Sequence, residues 1–250
     1  MTKVGVSICL SLSLMAGAAT ADEAQLAVAA NFAAPAKQLA ERFSRSTPHT
    51  LSISVGSTGK FYAQISNGAP FDVFLSADDE TPLRMEREKL AVSGTRFTYA
   101  IGKLALWSPA AGVVDSHGDV LRKGSFKRLA IANPRLAPYG AAARQTLEKL
   151  GVWPALEGRL VLGENIAQTL QFVSSGNVEL GFVAFSQIQD GGKAPAGSHW
   201  LVPQALYDPI RQEAVLLTRG SGNPAARTFL EFLRSPPARE LIRASGYDLP

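Results

Sequence analysis

The sequence predicts an α/β chain folded as two lobes, and three observations predict it. Strand-like apolar stretches alternate with stretches of helical periodicity, which implies parallel strands joined by crossover helices. This alternation runs twice, in two βα sets separated by one long strand-like stretch. A late strand-like segment then returns after the second set. A length of 250 residues suits one large domain or two small lobes.

The elements follow in order. Residues 25–30 (QLAVAA) read as a buried strand. Phe32, Ala36, Leu39, Ala40 and Phe43 share one helical face, so residues 33–44 read as a helix, with Pro35 in the first turn where a missing N–H is tolerated. Leu51, Ile53 and Val55 alternate with polar residues as in a strand. Residues 58–67 read as a helix closed by Gly68, and residues 71–76 (FDVFLS) as a strand. Residues 98–107 (TYAIGKLALW) read as one long strand. The pattern then restarts. Residues 128–132 form a strand, 140–150 a helix ending at Gly151, 159–162 a strand, 166–174 a helix ending near Gly176, and 180–185 a strand. Residues 191–198 (GGKAPAGS) read as a loop, residues 210–218 as a last strand, and two helices finish the chain. The second lobe is expected to begin near Leu104 and to return near Pro203. That places residues 22–103 and 204–250 in lobe I and residues 104–203 in lobe II.

The first residues point to export. Lys3 precedes a short apolar run, residues 4–14, and Ala19-Thr20-Ala21 is a small-x-small cleavage pattern, so residues 1–21 read as a secretory signal peptide. The run is well short of the ~20 residues that span a bilayer. Cleavage after Ala21 leaves residues 22–250, without the only cysteine, Cys9, and therefore without disulfide, thiolate metal site or cysteine nucleophile. Removing Lys3 leaves 24 basic against 21 acidic residues. They are scattered, with no run that reads as a nucleic-acid patch.

Four strand-to-helix junctions share one chemistry: Ala29-Ala30-Asn31-Phe32, Gly56-Ser57-Thr58-Gly59, Pro138-Tyr139-Gly140-Ala141 and Gly163-Glu164-Asn165-Ile166-Ala167. Each puts small or polar residues where a helix begins. Helix N-termini expose free N–H groups and carry about +0.5 of a charge. Several converging on one point form an anion site without a cationic side chain. Ligands of open α/β sheets sit beyond the carboxyl ends of the strands, where these junctions fall. Taken singly, Asn31, Ser57, Thr58 and Asn165 are also what ordinary N-caps look like.

Enzyme readings find less support. His49, His117 and His199 read as solvated loop residues without partners at metal-ligand spacing. No GxSxG elbow is present. Asp78, Asp79 and Glu80 read as charges favourable to the dipole of a helix starting near Thr81-Pro82.

The junctions also carry a resemblance. AVAANFAAPAKQLAERF, VGSTGKFYAQISNGAPFDVFLSAD, ANPRLAPYGAAARQTLEKLG, LGENIAQTLQFVSSGNVELGFVAFSQ and the terminal GYDL are similar to stretches of periplasmic molybdate-binding proteins, the ModA family of ABC-transporter substrate-binding proteins. The resemblance implies a type II periplasmic-binding-protein fold, each lobe a mixed, mainly parallel sheet flanked by helices, with a two-segment hinge. It implies a periplasmic protein, a monomer, that binds molybdate or tungstate through neutral hydrogen-bond donors and hands it to an inner-membrane permease. No catalysis, cofactor or nucleic acid is expected. Carried over residue by residue, Ala30 and Asn31 match the first binding junction and Ser57 a serine that donates through hydroxyl and backbone. Tyr139 and Ile166 match residues that donate backbone N–H groups. One branch of the family has serine where this chain has Asn31 and a ligand tyrosine where it has Ala184, so this chain resembles the Asn-containing branch. The rivals are a same-fold binder of sulfate, phosphate or ferric iron, an effector domain of a transcription regulator, and a secreted hydrolase.

Overall fold

A computed structural model of the chain describes residues 21–189 and 195–250. The signal-peptide reading at residues 1–20, and the first half of the loop expected at residues 191–198, lie outside the described residues.

Strand β1 (Glu23–Ala29) runs into a 3-10 turn and then helix α1 (Ala33–Ser46). Helix α1 buries Ala36, Leu39 and Phe43 on the expected face. Next come β2 (Thr50–Gly56), α2 (Thr58–Ser66), β3 (Val73–Leu75) and α3 (Glu80–Arg87). Gly68 follows α2 with φ of 85°, the left-handed conformation that glycine takes without steric penalty. Strand β4 (Phe97–Gly102) and β5 (Leu104–Ser108) follow. The chain continues through α4 (Val120–Lys123), β6 (Leu129–Ala132), α5 (Pro138–Lys149), α6 (Trp153–Leu156), β7 (Leu160–Gly163), α7 (Ile166–Ser174), β8 (Leu180–Ala184), α8 (Phe185–Ile188) and β9 (Ser198–Leu201). Strand β10 (Ile210–Leu216), α9 (Pro224–Arg234) and α10 (Pro236–Ala244) complete it.

Two five-stranded sheets result, in the orders β2-β1-β3-β10-β4 and β7-β6-β8-β5-β9. Each is mixed. The strands of the βα sets pair in parallel, whereas β10 and β5 run antiparallel to both neighbours. Four strands of each sheet therefore point the same way and one runs against them, the mixed, mainly parallel sheet that is expected. Helices cover both sheets, and the inward faces close over apolar cores that hold Phe32, Phe43 and Phe229 in one lobe and Leu106, Leu147 and Phe182 in the other.

Three readings change. The long strand at residues 98–107 is two strands in two sheets, divided at Lys103. Tertiary pairing separates β4, held by β10, from β5, held by β8 and β9. His49 is buried and stacks on Phe43, with ring centroids 6.4 Å apart. His199 lies in β9, paired with Trp107, rather than in a loop. No helix among the described residues is long and apolar enough to cross a membrane.

Candidate functional site

The four junctions meet. A small cleft is lined by Ala29, Ala30, Asn31, Gly56, Ser57, Thr58 and Ala77 from the side of β1–β3, and by Ala137, Pro138, Tyr139, Asn165 and Ile166 from the side of β6–β7. All five residues marked by the sequence, Ala30, Asn31, Ser57, Tyr139 and Ile166, line it, and none is more than 5% exposed. A group held there is almost fully desolvated, so each hydrogen bond to it acts in a low dielectric. Ala184, at the end of β8, is buried but is not among the described residues lining the cleft.

The local sequence explains how the donors are presented. Ser57 is the N-cap of α2; its Oγ accepts the Lys60 N–H at 3.4 Å, which leaves the hydroxyl proton free to donate. Thr58 turns the other way, its Oγ1 accepting Ala77 N–H at 3.1 Å. Asn165 caps α7 by accepting the N–H groups of Ala167 and Gln168 at 2.9 and 3.0 Å. The cap thus serves the second and third helical positions, while the N–H of Ile166, the first, has no carbonyl one turn back. In α5 Pro138 opens the helix and contributes no N–H, so the first available donor is the backbone of Tyr139. No Lys, Arg or His lines the cleft among the described residues. The charge at its mouth is paired: Lys60 Nζ lies 2.6 Å from Glu164 Oε2, and Gly59 N–H donates to Leu136 O at 2.9 Å, so the two sides touch above the cleft.

Asn31 presents its backbone rather than its amide group. Its Nδ2 donates to Gln212 Oε1 at 2.8 Å and to the Tyr247 hydroxyl at 3.0 Å, and the Tyr247 hydroxyl donates back to Asn31 O at 2.8 Å. Gln212 Oε1 also accepts from the Tyr99 hydroxyl at 3.1 Å, and Gln212 Nε2 donates to the Tyr139 hydroxyl at 3.2 Å. Ser186 Oγ donates to the Tyr247 hydroxyl at 2.9 Å. Burial pushes the phenols of Tyr99, Tyr139 and Tyr247 up, so all three stay neutral at physiological pH. Sequence reasoning missed this network. Tyr99, Tyr139 and Tyr247 are far apart in the chain and converge behind the cleft. The available signal was the Gln212-Glu213 pair, two polar residues in succession where a strand should alternate.

Asp78, beside the cleft residue Ala77, caps α3 as the helix-dipole reading implies. Its carboxylate accepts from Thr81 N–H at 3.0 Å, Thr81 Oγ1 at 3.1 Å and Ser76 Oγ at 3.0 Å. Burial nevertheless holds its pKa above the usual carboxylate range, against those bonds.

The sequence profile of the bacterial extracellular solute-binding proteins matches residues 24–248. The molybdate-binding protein ModA of Azotobacter vinelandii is 55% identical over 97% of this chain and 96% of its own length. That of Rhodobacter capsulatus is 50% identical over 92% of this chain and 89% of its own. A solved structure of an Azotobacter vinelandii periplasmic molybdate-binding protein superposes with a TM-score of 0.88 at 41% identity, covering 91% of this chain and 99% of the other. Matched over nearly its whole described length, and sharing half its residues with two relatives, the chain belongs to the bacterial extracellular solute-binding protein family, in the ModA group.

Proposed function

We propose that this protein binds molybdate, and tungstate with it, in the cleft between its two sheets, and delivers it to the permease of an ABC importer. One observation carries the reading: helix starts from both sides, Ser57 among them, line one buried space that no cationic side chain among the described residues lines. Such a site suits a dianion that brings acceptors only. A protonated oxyanion would set an O–H against a donor and leave both unpaired. Hydrogen bonds to a charged group contribute roughly 1.5–3 kcal/mol each. About six give on the order of 10–15 kcal/mol gross, from which desolvation and closure leave ~8 kcal/mol, a micromolar Kd.

The relatives named for molybdate support the ligand class. On this reading the protein acts as a monomer outside the cytoplasm after losing its signal peptide, as a carrier rather than an enzyme. It needs no cofactor and no nucleic acid. Residues 22–103 with 204–250 form one lobe and residues 104–203 the other. The two connecting segments hinge, and closure traps the anion.

A thermal-shift panel of molybdate, tungstate, sulfate, phosphate and chromate tests it. Stabilisation follows RT ln(1 + [L]/Kd), about 2.7 kcal/mol at a hundredfold excess over Kd. Molybdate and tungstate should raise Tm at micromolar concentration. A response to sulfate or phosphate alone would reassign the ligand, and a response to none would remove the oxyanion reading.

A further inference from the structure

Gln212 sits in β10, fully buried, between the two halves of the cleft wall. Its amide joins Asn31, on the β1 side, to Tyr139, at the start of α5 on the other side, through bonds of 2.8 and 3.2 Å. The bond to Tyr139 passes beside the place where the chain crosses between sheets. A Cβ on Gly102 would overlap the Tyr139 hydroxyl and come within 2.8 Å of Gln212 Nε2. The last residue of β4 is thus bare where this link crosses. A second link runs alongside: Ser186 Oγ, at the start of α8, donates to Tyr247, which donates to Asn31 O. Both Asn31 Nδ2 hydrogens are used in holding these links.

We propose that Gln212 is a positioning residue that sets the span between the Asn31 and Tyr139 halves of the anion site, and that this span selects oxyanions by size. The proposal rests on the oxyanion reading above. The donors are mostly backbone N–H groups fixed to their helices, so their separation across the cleft follows the separation of the two sides. The buried amide and hydroxyls are satisfied together in the arrangement seen, and moving the sides apart would leave one of them unpaired in a dry interior. That holds the span. Sulfate has the charge and shape of molybdate but is smaller. Neutral donors cannot tell the two apart by charge; a fixed span can, because the smaller anion leaves one side's donors out of reach. Freed of the link, the two sides settle at other spans and the preference flattens.

The test is calorimetric titration of the mature chain with sodium molybdate, with sodium sulfate measured by competition, for the natural protein, Gln212→Leu and Tyr139→Phe. Tyr139→Phe keeps the backbone N–H and removes only the hydroxyl. The ratio of molybdate to sulfate affinity should fall about tenfold or more in both variants, about 1.4 kcal/mol. An unchanged ratio overturns the proposal, and so does an equal loss of both affinities, which a merely structural role would produce. Should Gln212→Leu fail to fold, the ratio for Tyr139→Phe decides. If the natural protein binds neither anion, the oxyanion reading fails and takes this proposal with it.

Discussion

Lys60 and Glu164 meet across the mouth of the cleft, Nζ to Oε2 at 2.6 Å. Each lies beside a junction, Lys60 three residues after Ser57 and Glu164 two before Ile166. Both side chains are substantially exposed, 43% and 59%, so the pair itself contributes about 0–1 kcal/mol. Its larger effect is to neutralise the lysine next to an anion site. Glu164→Gln should therefore tighten oxyanion binding and speed association, while Lys60→Ala should weaken binding by up to about fivefold, both effects shrinking as salt is raised. Stopped-flow association rates at two ionic strengths check it; equal rates for the two variants would count against the electrostatic account.

Ser57→Ala removes the one side-chain hydroxyl assigned a donor role. The cap bond to Lys60 N–H is long, 3.4 Å, so the stability loss should sit at the low end of the roughly 0.5–2 kcal/mol typical of N-caps. Molybdate affinity should fall by about 10- to 100-fold, the loss of one hydrogen bond to a charged group. Calorimetry beside a thermal melt separates the two effects.

Ile166 offers a cleaner experiment because its assigned donor is main chain. Ile166→Val should leave affinity nearly unchanged. Ile166→Pro deletes the N–H at the first helical position, where proline is tolerated, and Asn165 already has the extended backbone (φ −149°, ψ 174°) that precedes proline. The proline variant should fold, with some loss from trimming a buried side chain, and bind at least about tenfold more weakly. Equal affinity in the two variants would remove Ile166 from the site.

Acid should act in opposite directions on two carboxylates. Burial raises Asp78, so its contribution to stability is greatest below its unfolded value of 3.8 and is lost as pH rises through the folded value. Asp78→Asn, which can keep the cap, should stabilise the protein at pH 7 and lose that advantage near pH 3. At Glu179 burial also pushes upward, but N–H donation from Lys127 and Arg128 outweighs it and lowers the pKa. Its contribution is present above the unfolded value of 4.5 and is lost as pH falls through the folded value. Glu179→Gln should thus destabilise at pH 7 and match the natural protein in acid. Denaturant midpoints at several pH values check both signs.

What the sequence made legible was local. Period-2 and period-3.6 patterning marked the βα units, and capping chemistry at Ser57 and Asn165 marked the helix starts that line the cleft. What stayed hidden was tertiary. Residues 98–107 read as one strand even though the second lobe is expected to begin near Leu104, because the change of pairing partners at Lys103 is tertiary. Strand β9 is four residues long, Ser198–Leu201, and pairs with β5 at the edge of its sheet. Gln212 escaped because alternation fails where it sits. A register shift between Gln212 and Glu213 breaks the period, and both side chains are buried in succession, one against Asn31 and Tyr139, the other against Arg96 at 2.7 Å.

The strand orders also bear on when the molecule becomes folded. Every strand of the β7-β6-β8-β5-β9 sheet lies within residues 104–201, whereas β10, at residues 210–216, separates β3 from β4 in the other sheet. A chain emerging N-terminus first can complete the second sheet while the first still lacks the strand that joins β3 to β4. β1, β2 and β3 can pair, but β4 has no neighbour in its sheet until the last sixth of the chain arrives. Closure of the first core is thus left to the final residues.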